Sequence, residues 1–481
     1  MGRRLTKIVA TLGPATPSAE AVEQLLAAGV DVARVNMSHG RREEHALRIA
    51  AVRRAEAHLA RPIAVLQDLA GPKVRVGRFP PGGVTLLTGF DVTLVPDSGA
   101  FGDTDHIPVS LPNLARYLEP EALVLIDDGR VRLRVNAITA EGVVCAVEEG
   151  GVVTDRKGLN LPDVSLDLPP LGQKDLEDLA FGVAQGVDFV GLSFVRSPGD
   201  IDLLRYHLGR LGSTARIVAK IEKHEALDHI DDIIAQADAV MVARGDLGVE
   251  IVPELVPRWQ KQIIRKTVAV GKEVITATQM LESMITNPVP TRAEASDVAN
   301  AVWDGTSAVM LSGETASGTY PVQAVTTMSR IVVAAEEDRP EGYAPWGGDT
   351  RRAGECRAGS SPAVSQAIAE AACELAADLG AAAIVTPTQT GATARQVARF
   401  HPAIHVLAAT PSREVWRHLA LTHGVTPALV HEAEDTDATI GLAVEAGVAH
   451  GVAMPGDLLV VTCGASVNAP GTTNLIKVER V

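Results

Sequence analysis

"IVAKIEK", residues 217–223, decides the fold. It opens as a buried strand, apolar and β-branched, and then sets Lys220 and Glu222 two positions apart. Side chains at i and i+2 share one face of a strand, so both charges belong to one side. A stretch of helical length follows, and then a second run, AVMVARGDLG (239–248), ending in Arg244 and Asp246 at the same spacing. Near-continuous apolar strands alternating with helices describe a parallel sheet covered on its faces.

The same unit recurs in both directions. The other runs are KIVATLG (7–13), DVARVNMS (31–38), IAVLQDLAG (63–71), DFVGLSFV (188–195), EVITATQML (273–281) and AVMLSGET (308–315). Helical stretches such as SAEAVEQLLAAG (18–29), EEHALRIAAVRRAEAHLA (43–60) and RAEASDVANAVWDG (292–305) lie between them. Eight such strands predict a closed (β/α)8 TIM barrel, assigned to residues 1–70 and 169–340. Residues 71–168 break the rhythm with Gly-, Pro- and Val-rich segments such as LVLIDDGRVRLRVNAI. They predict a small inserted β-barrel domain in a βα loop, where it could act as a lid. The polar stretch 341–361 reads as a linker, and residues 341–481 as a C-terminal open α/β sheet domain. Its expected strands are AAAIVTP, AIHVLAAT, DLLVVTCG and NLIKVER.

Composition narrows the function classes. The formal net charge of -15 argues against nucleic acid or an anionic membrane as the main partner. An anionic small substrate would need a local cluster of cations. No run of about 18 uncharged apolar residues suggests a membrane span. The first residues read as a strand, not a signal peptide. Cys145, Cys356, Cys373 and Cys463 are far apart, which predicts reduced thiols in a cytoplasmic protein.

In such a barrel the catalytic groups sit at the C-terminal ends of the strands. The second run ends in Arg34, Asn36 and Ser38, the third at Asp68, the seventh in Thr276 and Thr278, and the eighth near Ser312 and Glu314. Buried ion pairs stabilise weakly, so charges repeated at strand ends need another reason. Glu222 and Asp246 on adjacent strands make a two-carboxylate site that suits Mg2+, with Mn2+ as a substitute. Lys220 beside it is a point charge for phosphate or a developing oxyanion, and Arg34 is a second cation. Gly245 lets backbone approach a ligand closely. The set fits phosphoryl transfer or enolate chemistry.

Longer motifs now add a resemblance. TKIVATLGPAT (6–16), RVNMSHG (34–40), DLAGPKVRVG (68–77), KGLNLPDVSLDLP (157–169), AKIEK (219–223), ARGDLGVE (243–250), ATQMLESM (277–284), residues 290–321, PGD (455–457) and TTNLIKV (472–478) resemble the pyruvate kinase family. The resemblance implies phosphoryl transfer from phosphoenolpyruvate to ADP, giving pyruvate and ATP, in the last step of glycolysis. It implies Mg2+ held by Glu222 and Asp246, with Lys220 stabilising the enolate and the transferring group. Thr278 would lie against the enolate carbon, with Ser312 in a proton relay to it. Backbone near Gly245 and Asp246 would hold the substrate carboxylate, and Arg34 the phosphate. Asn36, His39, Arg75 and Lys157 would serve the nucleotide. A homotetramer is implied in the same way. Taken singly, Thr276 reads as a packing residue and Arg244 as a supporting one.

The chain departs from the family at two places. Many members bind K+ near residues matching Asn36, Ser38, Asp68 and the backbone after Asp68, and read DTKGPEIR where this chain reads DLAGPKVR. Leu69, Ala70 and Lys73 stand where those members carry Thr, Lys and Glu. An ammonium on a flexible stem is a monovalent cation. Lys73 is therefore expected to replace K+, which is then not required. In TPTQTGATARQVARF (386–400), small hydroxyl residues precede a helix, which suits a phosphate. By resemblance, Thr388, Thr390, Gly391 and Thr393 are the effector candidates. Ala392 stands where bisphosphate-regulated animal forms carry Arg, which favours AMP or ribose 5-phosphate. Two other readings remain: a Mg2+-dependent pyruvate aldolase or lyase, and an inactive metabolite-sensing paralogue. The inserted domain speaks against the first, and intact Lys220, Glu222, Asp246 and Thr278 against the second.

Overall fold

The computed structural model describes residues 4–162, 164–338, 364–464 and 473–481. All eight apolar runs form parallel strands: Lys7–Thr11, Val32–Asn36, Ala64–Asp68, Phe189–Leu192, Arg216–Ile221, Ala239–Ala243, Glu273–Ala277 and Ala308–Leu311. They close into one barrel in chain order, the first pairing with the last. Outward side chains such as Ile8, Val65 and Ile217 pack under the covering helices. Inward ones, among them Val9, Val32, Leu66, Phe189, Val218, Met241 and Ile275, fill the interior. The period of two then places the charges. Val32, Leu66 and Val218 point in, so Arg34, Asp68 and Lys220, two residues further, also point in, one layer nearer the mouth.

The inserted region follows the third strand. Its six-stranded sheet runs Leu159–Asn160, Leu123–Ile126, Val131–Ile138, Val143–Glu149, Asp91–Pro96, His106–Val109 in space. Residues 75 and 76 join its two edges: Arg75 bridges to Gly158 and Val76 to Val109. The Val76 N–H donates to the Lys157 carbonyl, and the Ser110 N–H to the Arg75 carbonyl, both at 2.9 Å. This closes a small barrel with its own core of Val92, Ile107, Val124, Leu133 and Cys145.

The C-terminal region is a five-stranded sheet, ordered Val425–Leu429, His405–Thr410, Ala383–Pro387, Leu458–Gly464, Thr473–Arg480, the last antiparallel. The strand Val425–Leu429 escapes a sequence reading because Pro427 argues against a strand. It is an edge strand, where a missing N–H is tolerated. The expected linker, 341–361, lies outside the described residues. This region also plugs the barrel base. Ala420 and Leu421 join the interior cluster, and the Lys7 ammonium donates to the Val425 carbonyl at 2.7 Å. Among the described residues, no helix is long and apolar enough to cross a membrane.

Candidate active site at the barrel mouth

Lys220 is the centre of the mouth. Its ammonium is 3.0 Å from Asp68, 2.9 Å from Glu222 and 2.6 Å from the Ser193 hydroxyl. All three charged groups are buried. Burial works against the Lys220 ammonium, but the Asp68 and Glu222 carboxylates outweigh it and hold its pKa above the ordinary amine value. Asp68 is shared: Arg34 donates to it at 2.6 Å and also reaches the Thr11 hydroxyl at 2.9 Å. Burial alone would raise the Asp68 pKa, but Lys220 and Arg34 hold it below the usual carboxylate value.

Glu222 behaves differently. It lies just past the fifth strand and accepts from the Phe194 N–H at 2.8 Å. Its pKa is raised, first by burial and further by the neighbouring carboxylates of Asp246 and Asp68, although Lys220 opposes the shift. A buried carboxylate that feels a second, part-exposed one makes a donor set that a hard divalent cation relieves, so these residues fit Mg2+.

The sixth strand departs from the expected spacing argument. It ends at Ala243, and a short helix, Arg244–Glu250, begins at once. Residues two apart on a helix do not share a face, so Arg244 and Asp246 diverge. Asp246 turns to the mouth and pairs with the Lys73 ammonium at 2.8 Å. Arg244 turns to the end of the seventh strand. There Thr278 and Gln279 have φ of 69° and 54°, in the left-handed region. For a β-branched residue this costs about 1–3 kcal/mol and recurs at functional sites. The Thr278 hydroxyl accepts from the Gly245 N–H at 2.7 Å and donates to the Ala277 carbonyl at 2.6 Å. Glu314 ties the last two loops together by accepting from the N–H groups of Leu281 and Ser312. Burial raises its pKa. Thr276 is buried and donates to the Thr306 hydroxyl, as a packing residue would.

A cleft of about 640 Å3 opens here, lined by Lys73, Asp128, Gly245, Asp246, Thr278 and Ser312 among others. Asp128 belongs to the inserted domain, so that domain forms one wall. The His39 pKa is lowered, first by burial and then by the positive charges of Arg75, Arg34 and Lys73. Asn36 lies beside Asp68 on the neighbouring strand, and its side-chain carbonyl accepts from the Ser38 N–H at 3.0 Å. The Leu69 carbonyl accepts from Ser193 at 2.7 Å. Lys157 stays on the inserted domain, 2.8 Å from Asp127. The effector candidates are in the C-terminal region. Gly391 has a φ of 78° there, and its N–H donates to the Thr388 hydroxyl at 2.9 Å. Ala392 N–H donates to the Thr390 hydroxyl, while the buried Thr393 hydroxyl meets that of Thr473 at 2.7 Å.

Sequence reasoning missed Ser193, Phe194 and Thr11. Ser193 and Phe194 lie just past the fourth strand, which carries no charge of its own to mark it. Thr11 looked like an ordinary strand residue. Arg244 was visible, but its target was not. Asn160 is missed as well. It donates from the inserted domain to Glu250 at 3.0 Å, and Lys223 reaches the other oxygen of that carboxylate at 2.7 Å.

A parallel barrel with a desolvated, charge-dense mouth under an inserted β domain is the build of a barrel enzyme for an anionic substrate. Residues 3–325 match the family model for the pyruvate kinase barrel domain, and residues 366–479 that for the pyruvate kinase alpha/beta domain. The chain is 44% identical over 477 residues to a pyruvate kinase of Clostridium acetobutylicum, covering 99% of each chain. It is 43% identical over 482 residues to one of Mycobacterium tuberculosis, covering 99% of this chain and 98% of the other. With one of Geobacillus stearothermophilus, 43% identity spans 99% of this chain and 80% of the other. The chain belongs to the pyruvate kinase family.

Proposed function

We propose that this chain transfers the phosphoryl group of phosphoenolpyruvate to ADP, giving pyruvate and ATP. The observation that carries this reading is Lys220, buried between Asp68 and Glu222 with Asp246 close by. Glu222 and Asp246 would hold Mg2+, which supplies charge neutralisation for the substrate oxygens. Lys220 keeps its proton and meets the negative charge that grows on the enolate oxygen as the phosphoryl group leaves. Arg34, fixed by Asp68 and Thr11, faces the transferring group. The Gly245 and Asp246 backbone receives the substrate carboxylate. Enolpyruvate then takes a proton at its methylene carbon on the Thr278 side, with Ser312 on the same cleft wall. Asn36, His39, Arg75 and Lys157 serve the nucleotide. The last two cations come from the inserted domain, assigned to residues 71–168, so its closure would deliver charge and exclude water.

Lys73 is read as the built-in replacement for K+, in the site framed by Asn36, Ser38, Asp68 and Leu69. Its support is the residue type, an ammonium at the barrel mouth, which pairs there with Asp246 and not with Asn36, Ser38 or Asp68. Thr388, Thr390, Gly391 and Thr393 are read as a phosphate-effector loop for AMP or ribose 5-phosphate. A cytoplasmic homotetramer in glycolysis completes the reading. The test is pyruvate formation from phosphoenolpyruvate and ADP with Mg2+, with K+ and then with only a bulky organic cation. Equal rates are expected, and Lys73→Glu should make the rate depend on K+. A Lys73→Glu enzyme fully active without K+ contradicts the Lys73 assignment, and no pyruvate under either salt contradicts the activity.

A further inference from the structure

Arg244 makes no contact with Glu222 or Asp246, the two carboxylates next to its strand end. Its guanidinium instead grips the backbone of the strained turn. The Nε–H donates to the Ala277 carbonyl at 3.1 Å, and Nη2 to the Thr278 carbonyl at 2.7 Å. The third nitrogen is anchored on Asp297 at 2.8 Å and on the Gln260 side-chain oxygen at 3.3 Å. Gln260 is itself fixed, donating to Asp304 at 2.9 Å. A planar fork reaching consecutive carbonyls is a geometry that Arg supplies and Lys does not.

What the fork holds is the left-handed pair Thr278 and Gln279. A β-branched residue leaves this region unless its surroundings over-determine it. The Ala277 carbonyl also accepts the Thr278 hydroxyl, so Arg244 and Thr278 share one acceptor. Arg244 thereby fixes the backbone and the carbonyl on which the Thr278 hydroxyl rests. We propose that Arg244 is a positioning residue for the protonation half of the reaction. It sets the turn that aims the Thr278 hydroxyl at the substrate carbon, and Asp297 sets Arg244. This rests on the proposed role of Thr278.

The test separates protonation from phosphoryl transfer. Exchange of the pyruvate methyl hydrogens with D2O, followed by NMR in the presence of Mg2+ and ATP, reports proton transfer at carbon. Steady-state turnover reports the whole reaction. For Arg244→Met, exchange and kcat are expected to fall together by about 100-fold, as for a misplaced catalytic group, with the KM for phosphoenolpyruvate little changed. Asp297→Asn keeps the fork but loosens its anchor, and is expected to give the same pattern at about tenfold. If Arg244→Met does not fold, Asp297→Asn decides. Wild-type exchange in the folded variant, or a raised KM with unchanged kcat, overturns the proposal. Thr278→Ala distinguishes the two levels: lost exchange there with normal exchange in the Arg244 variant rejects Arg244 alone. Wild-type exchange in Thr278→Ala rejects the role of Thr278.

Discussion

The two ends of the barrel both bury charge, and they use it differently. At the base, Arg417 grips Glu56 at 2.6 Å, and Glu273 takes Arg216 at 3.3 Å and the Thr422 hydroxyl at 2.8 Å. Each of these groups is matched within the chain, and the matches fasten the C-terminal region to the barrel. At the mouth, burial raises the Glu222 pKa, Lys220 opposes the shift, and the charges of Asp246 and Asp68 add to it. The mouth carboxylates are paired too, Asp68 and Glu222 with Lys220 and Asp246 with Lys73, but Asp246 and Lys73 line an open cleft. Buried charge alone therefore does not mark a site; charge that lines a cleft does.

That contrast can be broken by mutation at either end. The largest effect is expected from Lys220→Met. Removing a charge aimed at a developing oxyanion should lower kcat by about 100- to 1,000-fold in the pyruvate assay. Arg417→Met at the base should leave kcat and KM of the folded enzyme unchanged. It should cost about 2–3 kcal/mol, read as a lower urea midpoint, because Glu56 is left buried with a longer ion pair to Arg53 at 3.5 Å and the Ile63 N–H at 3.3 Å.

A pH-dependent effect of similar size belongs to His418, also at the base, where it meets the Phe189 ring edge-on at 5.5 Å. Its pKa is pushed down to about 4, first by burial and then by the positive charges of Arg216 and Arg395. The folded state keeps it neutral where the unfolded chain, titrating at about 6.5, takes up a proton. Stability is therefore complete above about pH 6.5 and falls as pH drops toward about 4, by about 3 kcal/mol in all. Urea unfolding at several pH values should show this slope, and His418→Gln should flatten it while leaving the neutral-pH rate alone.

The sequence reading reached the barrel because its strands are apolar on both faces and its inward charges obey a period of two. Arg34, Asp68 and Lys220 were legible for that reason. Asp246 was identified for a reason that fails in the structure, since the chain coils at Arg244. The edge strand at Pro427 was hidden by the residue that its edge position tolerates. Contacts such as Arg244 to Thr278 join residues 34 apart through backbone carbonyls, which carry no residue-type signal. Ser193 and Thr11 are small hydroxyl residues, common in any strand or loop, and only their neighbours give them a role.

Glu222 and Asp246 together would take the divalent cation at the mouth. The most direct measurement is the thermal shift produced by Mg2+ or Mn2+ without substrate, in the unmodified chain and in Asp246→Asn. A cation at 100 times its Kd should stabilise the unmodified chain by about 2.7 kcal/mol, and the variant by far less. An equal shift in both proteins, or none in either, would contradict it.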